Sequence, residues 1–382
     1  MSNLYLYEPD YAVSPGEILD EYLESYEMTQ DELAQQLEIS QEVVRAMIEA
    51  RLPIVPETAV KLQKIFQRPA HFWINLQNHY EQTLTRLEQR KSYSDWLQQF
   101  PLSFMRKQGW IIKYKNETEQ LQELFRFFAI DSVEQWRDKW QSYQVAYRKS
   151  QKSDACFYAI SAWLRYGEIE AQHIQCEPFD EQRFLAILAE IRSLTQEPSE
   201  VFIPHLQKLC ASAGVAVIFT PEPPKTAISG ATHWVDDEKA MIQLSLRYKS
   251  NDHLWFTFFH EAGHVIKHGR GTIFVEDEAR KNHSEITEKE ADQFARDQLI
   301  PPSEYQQFLL SWSTRMDYPL NDKLNLITEF AGKIRIAPGI VVGRLQFDKK
   351  LHVSHCNELK VFYCWQKIVK HIVSGREKEA AK

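Results

Sequence analysis

The chain has 382 residues, 43% of them apolar and 12% aromatic, which is material for more than one packed core and too much for a single typical one. Its five cysteines are scattered, odd in number and without a CxxC pair, which excludes a disulfide framework or thiolate zinc site and fits a reducing cytoplasm. The net charge of −8 is uneven: residues 1–80 hold 5 Lys/Arg against 13 Asp/Glu, while residues 321–382 hold 12 against 6, so the N-terminal part lacks the cationic density on which DNA affinity rests.

From residue 16 to about 80, apolar residues fall at helical spacing in short blocks. Thr29-Gln30-Asp31-Glu32 reads as a capping box opening one helix. After the break "EIS", Ser40 is placed to cap a second helix carrying Val43, Val44, Met47 and Ile48. Two short helices joined this tightly form a helix-turn-helix pattern. The second helix would run over about residues 41–49 and expose Gln41, Glu42, Arg45 and Glu49. The candidate DNA contacts are Gln30, Ser40, Gln41, Val44, Arg45 and Arg51. Glu38 occupies the turn, where a left-handed conformation is easier for glycine.

Residues 81–199 read as mostly helical, with Trp, Phe and Leu recurring at three and four. The stretch "TQEPSEVFIP" marks a boundary. Two strand patterns follow, "GVAVIF" and "AMIQLSL", the latter alternating as a half-buried strand with Gln243 and Ser245 on the polar side. The 240–246 strand is expected to pair, as an edge, with an extended substrate segment. No apolar run approaches the roughly 18 residues of a membrane span, and the N-terminus has no signal-peptide pattern, so neither export nor membrane insertion is expected.

A helix beginning near residue 251 and ending at Gly269 carries "FTFFHEAGHVIKHG". His260 and His264, four apart, share one face and can reach one tetrahedral ion. Glu261 lies beside them, placed to act as a general base. A catalytic zinc site needs a third protein ligand, and "ITEKEADQFARDQLIPP" supplies Glu288, with Asp292 on the same face to accept a hydrogen bond from a ligand imidazole. Glu290 competes with Glu288, but points about 200° away around the helix. His268 lies a further turn along and reads as a residue behind the ligands. His283, Arg247 and Tyr248 are candidate oxyanion donors. The bland alternative is a pair of satisfied core histidines.

At "WFTFFHEAGHVIKH", "EKEADQFARDQLIP" and "AGKIRIAPGIVVGRLQ" the chain resembles the ImmA/IrrE family of metallopeptidases. The segment "PGEILDEYLESYEMTQDELAQQLEISQEVVRAMIEARLPIVPETAVKLQKIFQRPAHFWINLQNHYE" is similar to the XRE-type helix-turn-helix of HigA/VapI-like antitoxins. The resemblance implies zinc held by His260, His264 and Glu288, with Glu261 as base, and site-specific cleavage of a protein partner such as a DNA-binding repressor.

The expected protein is mainly α and multidomain, and cytoplasmic. Its parts are an all-α helix-turn-helix domain over 1–80, a helical connecting region over 81–199, an α+β zincin-like domain over 200–345 and a basic segment over 346–382. Its expected function is that of a regulatory zinc endopeptidase with a protein substrate (a repressor or a toxin), operator DNA as a further partner and possible homodimerisation. The alternative is an antitoxin-like regulator that binds operator DNA and a toxin, with a non-catalytic metal domain.

Overall fold

The computed structural model of the chain describes residues 9–148, 154–269, 274–277, 286–313, 319–366 and 368. It divides into two compact units, Met1–Gln98 and Gln99–Lys382.

The described residues of the N-terminal unit form helices only: α1 (Pro15–Ser25), α2 (Gln30–Leu37), α3 (Gln41–Ile48), α4 (Pro56–Phe66) and α5 (Ala70–Gln98). Local chemistry sets its boundaries. The Thr29 hydroxyl accepts from the Glu32 amide at 3.2 Å while Glu32 accepts from the Thr29 amide at 2.8 Å, closing the capping box. Ser40 accepts from the Val43 amide and caps α3. Between them Glu38 takes the left-handed conformation, φ 56°. Leu19, Leu23, Leu33, Leu37, Val44, Met47, Leu62, Phe66 and Trp73 form one core. Val44, a candidate DNA contact by sequence, is fully buried in it. It lies on the apolar stripe of α3, so this candidate is corrected to a packing residue.

Among the described residues, the second unit begins with the helices α6 (Leu102–Lys107), α7 (Glu117–Phe128), α8 (Val133–Arg148), α9 (Asp154–His173), α10 (Glu181–Ser193) and α11 (Ser199–Ala211). A four-stranded sheet follows, formed by β1 (Val215–Phe219), β2 (Ile228–Trp234), β3 (Ala240–Leu244) and β4 (Phe274–Asp277) in the order β1-β3-β2-β4. The helix α12 (Asn251–Lys267) lies between β3 and β4 in sequence, and α13 (Ile286–Leu299), α14 (Pro302–Ser313), α15 (Leu320–Ile334) and α16 (Pro338–Phe347) come after. Helix-dominated, with one small sheet, this is the mainly α architecture with an α+β C-terminal part that the sequence implies.

Two expectations about β3 are corrected. It pairs with β1 on one side, parallel, and with β2 on the other, antiparallel, so it is an inner strand with both ladders occupied and offers no edge. Nor is it half-buried. Ile242 and Leu244 join the large core with residues of α12, while Met241 packs with Ala171 of α9 on the opposite face. Gln243, the expected solvent-facing residue, is fully buried and donates from Nε2 to the Trp163 carbonyl at 2.9 Å. Gly167 of α9 sits so close that a Cβ there would meet the Gln243 amide. Polar residues under a covering helix survive by hydrogen bonding, and a period-two pattern does not reveal the cover.

Candidate metal centre

The site is assembled from α12, α13 and β2. The start of α12 is fixed from a distance: the Asn251 amide donates to the Val361 carbonyl at 2.8 Å, and Asp252 pairs with Lys360 at 2.7 Å, both groups nearly buried. Further along, Gly263 of α12 faces Ala291 of α13, and a Cβ on the glycine would lie 3.1 Å from the alanine Cα. This small-residue contact lets the two helices approach closely enough for their polar side chains to meet.

They meet at His260, His264 and Glu288, whose ligand-type atoms all lie within 4.8 Å of one another. The two Nε2 atoms are 3.0 Å apart. Glu288 Oε2 is 3.3 Å from His260 Nε2, and its Oε1 is 3.7 Å from His264 Nε2. These separations bracket the edge, about 3.3 Å, of a tetrahedron drawn around an ion with bonds of about 2.0 Å. Two imidazoles and one carboxylate are also the donor types a borderline divalent ion accepts, so the residues present fit a metal.

Electrostatics prepares them. Burial pushes the His264 imidazole down to about 4, an effect that hydrogen bonding to Glu288 only partly offsets, so near neutral pH the ring keeps its lone pair. Burial alone would raise the Glu288 carboxyl, but hydrogen bonds with His260 and His264 outweigh it and hold the group well below the usual carboxylate range. The result is neutral imidazole beside ionised carboxylate.

Around this triad, His260 Nδ1 lies 3.0 Å from Asp292 Oδ1, and Asp292 in turn stands 3.6 Å from Arg296. His264 Nδ1 lies 2.9 Å from His268 Nδ1. Glu290, weighed by sequence as a rival of Glu288, instead meets His268 Nε2 at 3.2 Å. Glu261 is fully buried. Thr232 Oγ1 on β2 is 2.6 Å from its carboxylate Oε2 and 3.0 Å from its carbonyl oxygen, sharing one hydroxyl donor between them. At Gly230, two residues earlier on the same face, a Cβ would lie 2.6 Å from Thr257 Cγ2 and 2.9 Å from Glu261 Oε1.

Sequence reasoning missed Thr232 and Gly230 because it missed β2: "ISGATHW" has no apolar alternation and contains a glycine. Of the candidate oxyanion donors, Arg247 donates to the Ala227 carbonyl and lies over the Tyr248 ring, which stacks on His253 at 4.1 Å. His283 lies outside the described residues.

In the N-terminal unit, Gln41 and Arg45 are exposed on α3 together with Glu42, and Gln30 is half-buried at the start of α2. Ser40 is exposed and serves as the α3 cap. Arg51 is exposed and paired with Glu49, so part of the scarce positive charge here is already matched.

Comparison with known proteins agrees with this division. Residues 210–333 match the family model described as the IrrE N-terminal-like domain, Peptidase_M78, a family whose description implies a metal-dependent peptidase. An uncharacterised HTH-type transcriptional regulator, YbaQ of Escherichia coli strain K12, is 38% identical over 65 residues, 17% of this chain and 58% of that protein. The chain thus spans about 58% of the length of the curated relative it matches. Among solved structures, the Pseudomonas aeruginosa antitoxin HigA with the higBA promoter is 30% identical, covering 22% of this chain and 90% of the other at a TM-score of 0.21. An addiction module antidote protein of the HigA family from Coxiella burnetii is also 30% identical, covering 22% and 92% at 0.20. Among the described residues, no helix is long and apolar enough to cross a membrane.

Proposed function

From an IrrE-like domain in the C-terminal unit and a helix-turn-helix segment in the N-terminal one, we propose that this protein is a regulatory zinc-dependent endopeptidase that cleaves a protein partner, such as a DNA-binding repressor or a toxin. His260, His264 and Glu288 would hold the zinc. Bound there, zinc supplies a Lewis acid that polarises the scissile carbonyl and acidifies water. Glu261 takes the proton from the attacking water and returns it to the departing amide nitrogen. Thr232 holds one oxygen of that carboxylate, and Gly230 leaves the space in which it sits. Asp292 accepts from His260 Nδ1, keeping the lone pair on Nε2.

The observation that supports this reading is the convergence of two Nε2 atoms and a carboxylate within 4.8 Å, with a buried glutamate next in sequence to the first histidine. A scaffold that only binds metal has no use for that glutamate. The test is Glu261→Gln in the full chain, incubated with a candidate partner encoded beside it. Zinc content should stay stoichiometric while cleavage falls by about 100-fold or more. Cleavage at the parental rate by this variant removes Glu261 from its role as base, and a zinc-loaded parent chain that leaves the partner intact removes the enzymatic reading.

A second element of the proposal concerns operator DNA. Exposed Gln41 and Arg45 on α3 favour a groove-facing role. In this reading the N-terminal unit directs the peptidase to DNA or to a DNA-bound protein, as a monomer or as a homodimer.

A further inference from the structure

Both candidate ligand imidazoles turn Nε2 toward Glu288, which leaves each Nδ1 to a second partner. The partners differ. His260 Nδ1 meets a carboxylate directly, Asp292 Oδ1 at 3.0 Å. His264 Nδ1 meets another ring nitrogen, His268 Nδ1 at 2.9 Å, and the far nitrogen of that ring, Nε2, lies 3.2 Å from Glu290 Oε2.

Two ring nitrogens at hydrogen-bond distance require one donor and one acceptor. If His264 gives its Nε2 lone pair to a metal, its proton resides on Nδ1, and that N–H must donate. His268 Nδ1 is then the acceptor, which puts the His268 proton on Nε2. There it faces a carboxylate, which accepts only. Each link fixes the next. The opposite order would require His264 to carry no proton on either nitrogen.

We propose that His268 and Glu290 form an orienting relay for His264, the two-step counterpart of the single Asp292 contact on His260. The proposal rests on the metal-site reading above and deepens it. His268 sits at the C-cap of α12, its amide bonded to the His264 carbonyl, and its side chain is only 6% exposed, so the ring has a fixed place from which to accept. Helix α13 supplies all three acids, one each to the ion, to His260 and to His268. The relay gives Glu290 a task that its position on the helix denies it as a ligand, since residues two apart diverge by about 200°. Both relay members are positioning residues.

The test uses the full chain with ring-labelled histidine and zinc. Long-range proton–nitrogen spectra should show His264 protonated on Nδ1 and His268 on Nε2. Zinc affinity, read by competition with a chelator, should weaken by about 10- to 100-fold in His268→Ala. His268→Gln, whose amide oxygen can accept the same proton, should stay within about threefold of the parent. Glu290→Gln, whose amide oxygen still accepts, should keep the His268 proton on Nε2 with near-parental zinc affinity, whereas Glu290→Lys, which can only donate, should weaken zinc affinity as His268→Ala does. Parental zinc affinity in His268→Ala, or a His268 ring protonated on Nδ1, overturns the relay while leaving the metal site standing. A folded parent chain that takes up no zinc overturns the metal-site reading, and the relay with it.

Discussion

The outward side chains Gln41, Glu42 and Arg45 of α3, with Glu49 at its C-cap, belong to a helix whose ends are set by neighbours a few residues away. At the candidate metal centre, His260, Glu261 and His264 are at most 2% exposed, and their partners Thr232, Glu288 and Asp292 come from about 30 residues distant in either direction. The first surface can change its chemistry without unfolding the protein. A change at the second is also felt in stability, because each polar group there is buried beside its partner, and removing one member strands the other. Function and stability are separable at the first surface and coupled at the second.

The strongest challenge to that contrast is Leu37→Ala. Leu37 is fully buried among Leu33, Val44 and Leu62, and truncation should cost the N-terminal unit about 2–5 kcal/mol. If the two units are built independently, zinc uptake by the full chain should be unchanged while hydrogen exchange in α2 and α3 accelerates. Loss of zinc uptake in this variant would show that the local and the distant kinds of construction depend on each other.

Acid sharpens the same contrast. Glu168 on α9 is nearly buried, with Arg165 at 2.7 Å, Lys139 at 3.2 Å and His233 of β2 at 3.4 Å. Burial alone would raise its carboxyl, but hydrogen bonding with His233, the Lys139 charge and Arg165 outweigh that and lower it from 4.5 to about 2. A folded value below the unfolded one means stability that is complete above about pH 4.5 and lost as pH falls toward 2. The amount is on the order of 3 kcal/mol. Urea unfolding of the C-terminal unit should therefore weaken over that window in the parent, with a shallower slope in Glu168→Gln. Parallel pH profiles for the two proteins would refute the ion-pair account of how α9 is held to the sheet.

What was legible in the sequence follows the same division. Thr29, Ser40 and the Glu38 turn could be read directly, because caps and turns are chemistry between residues two or three apart. His260, His264, Glu288 and Asp292 could be read as same-face pairs at i and i+4, because a helix fixes that geometry locally. The inner position of β3, the burial of Gln243 beneath α9 and the contact of Thr232 with Glu261 could not, since each depends on which elements pair across long stretches of chain. "ISGATHW" carries no period that announces a strand, and nothing near Gln243 announces its cover. Val44 shows the limit on the local side. Its place beside Val43, Met47 and Ile48 on the apolar stripe could be read from the spacing, yet it also stands among the sequence's candidate DNA contacts, and the packed core decides for the first.

The smallest effect separates the two roles open to Ser40. Its hydroxyl caps α3, and the residue is exposed to solvent. Ser40→Ala should lower the stability of the N-terminal unit by about 1 kcal/mol, whereas Ser40→Gly should cost only a few tenths, because glycine is itself tolerated at an N-cap. Both variants remove the hydroxyl. If Ser40 touches DNA, operator affinity measured at fixed salt falls equally in the two, although their stabilities differ. If it only caps the helix, affinity follows stability, and the glycine variant binds nearly as well as the parent. Hydrogen exchange of the α3 amides, read beside a DNA titration, makes the distinction without involving the metal centre.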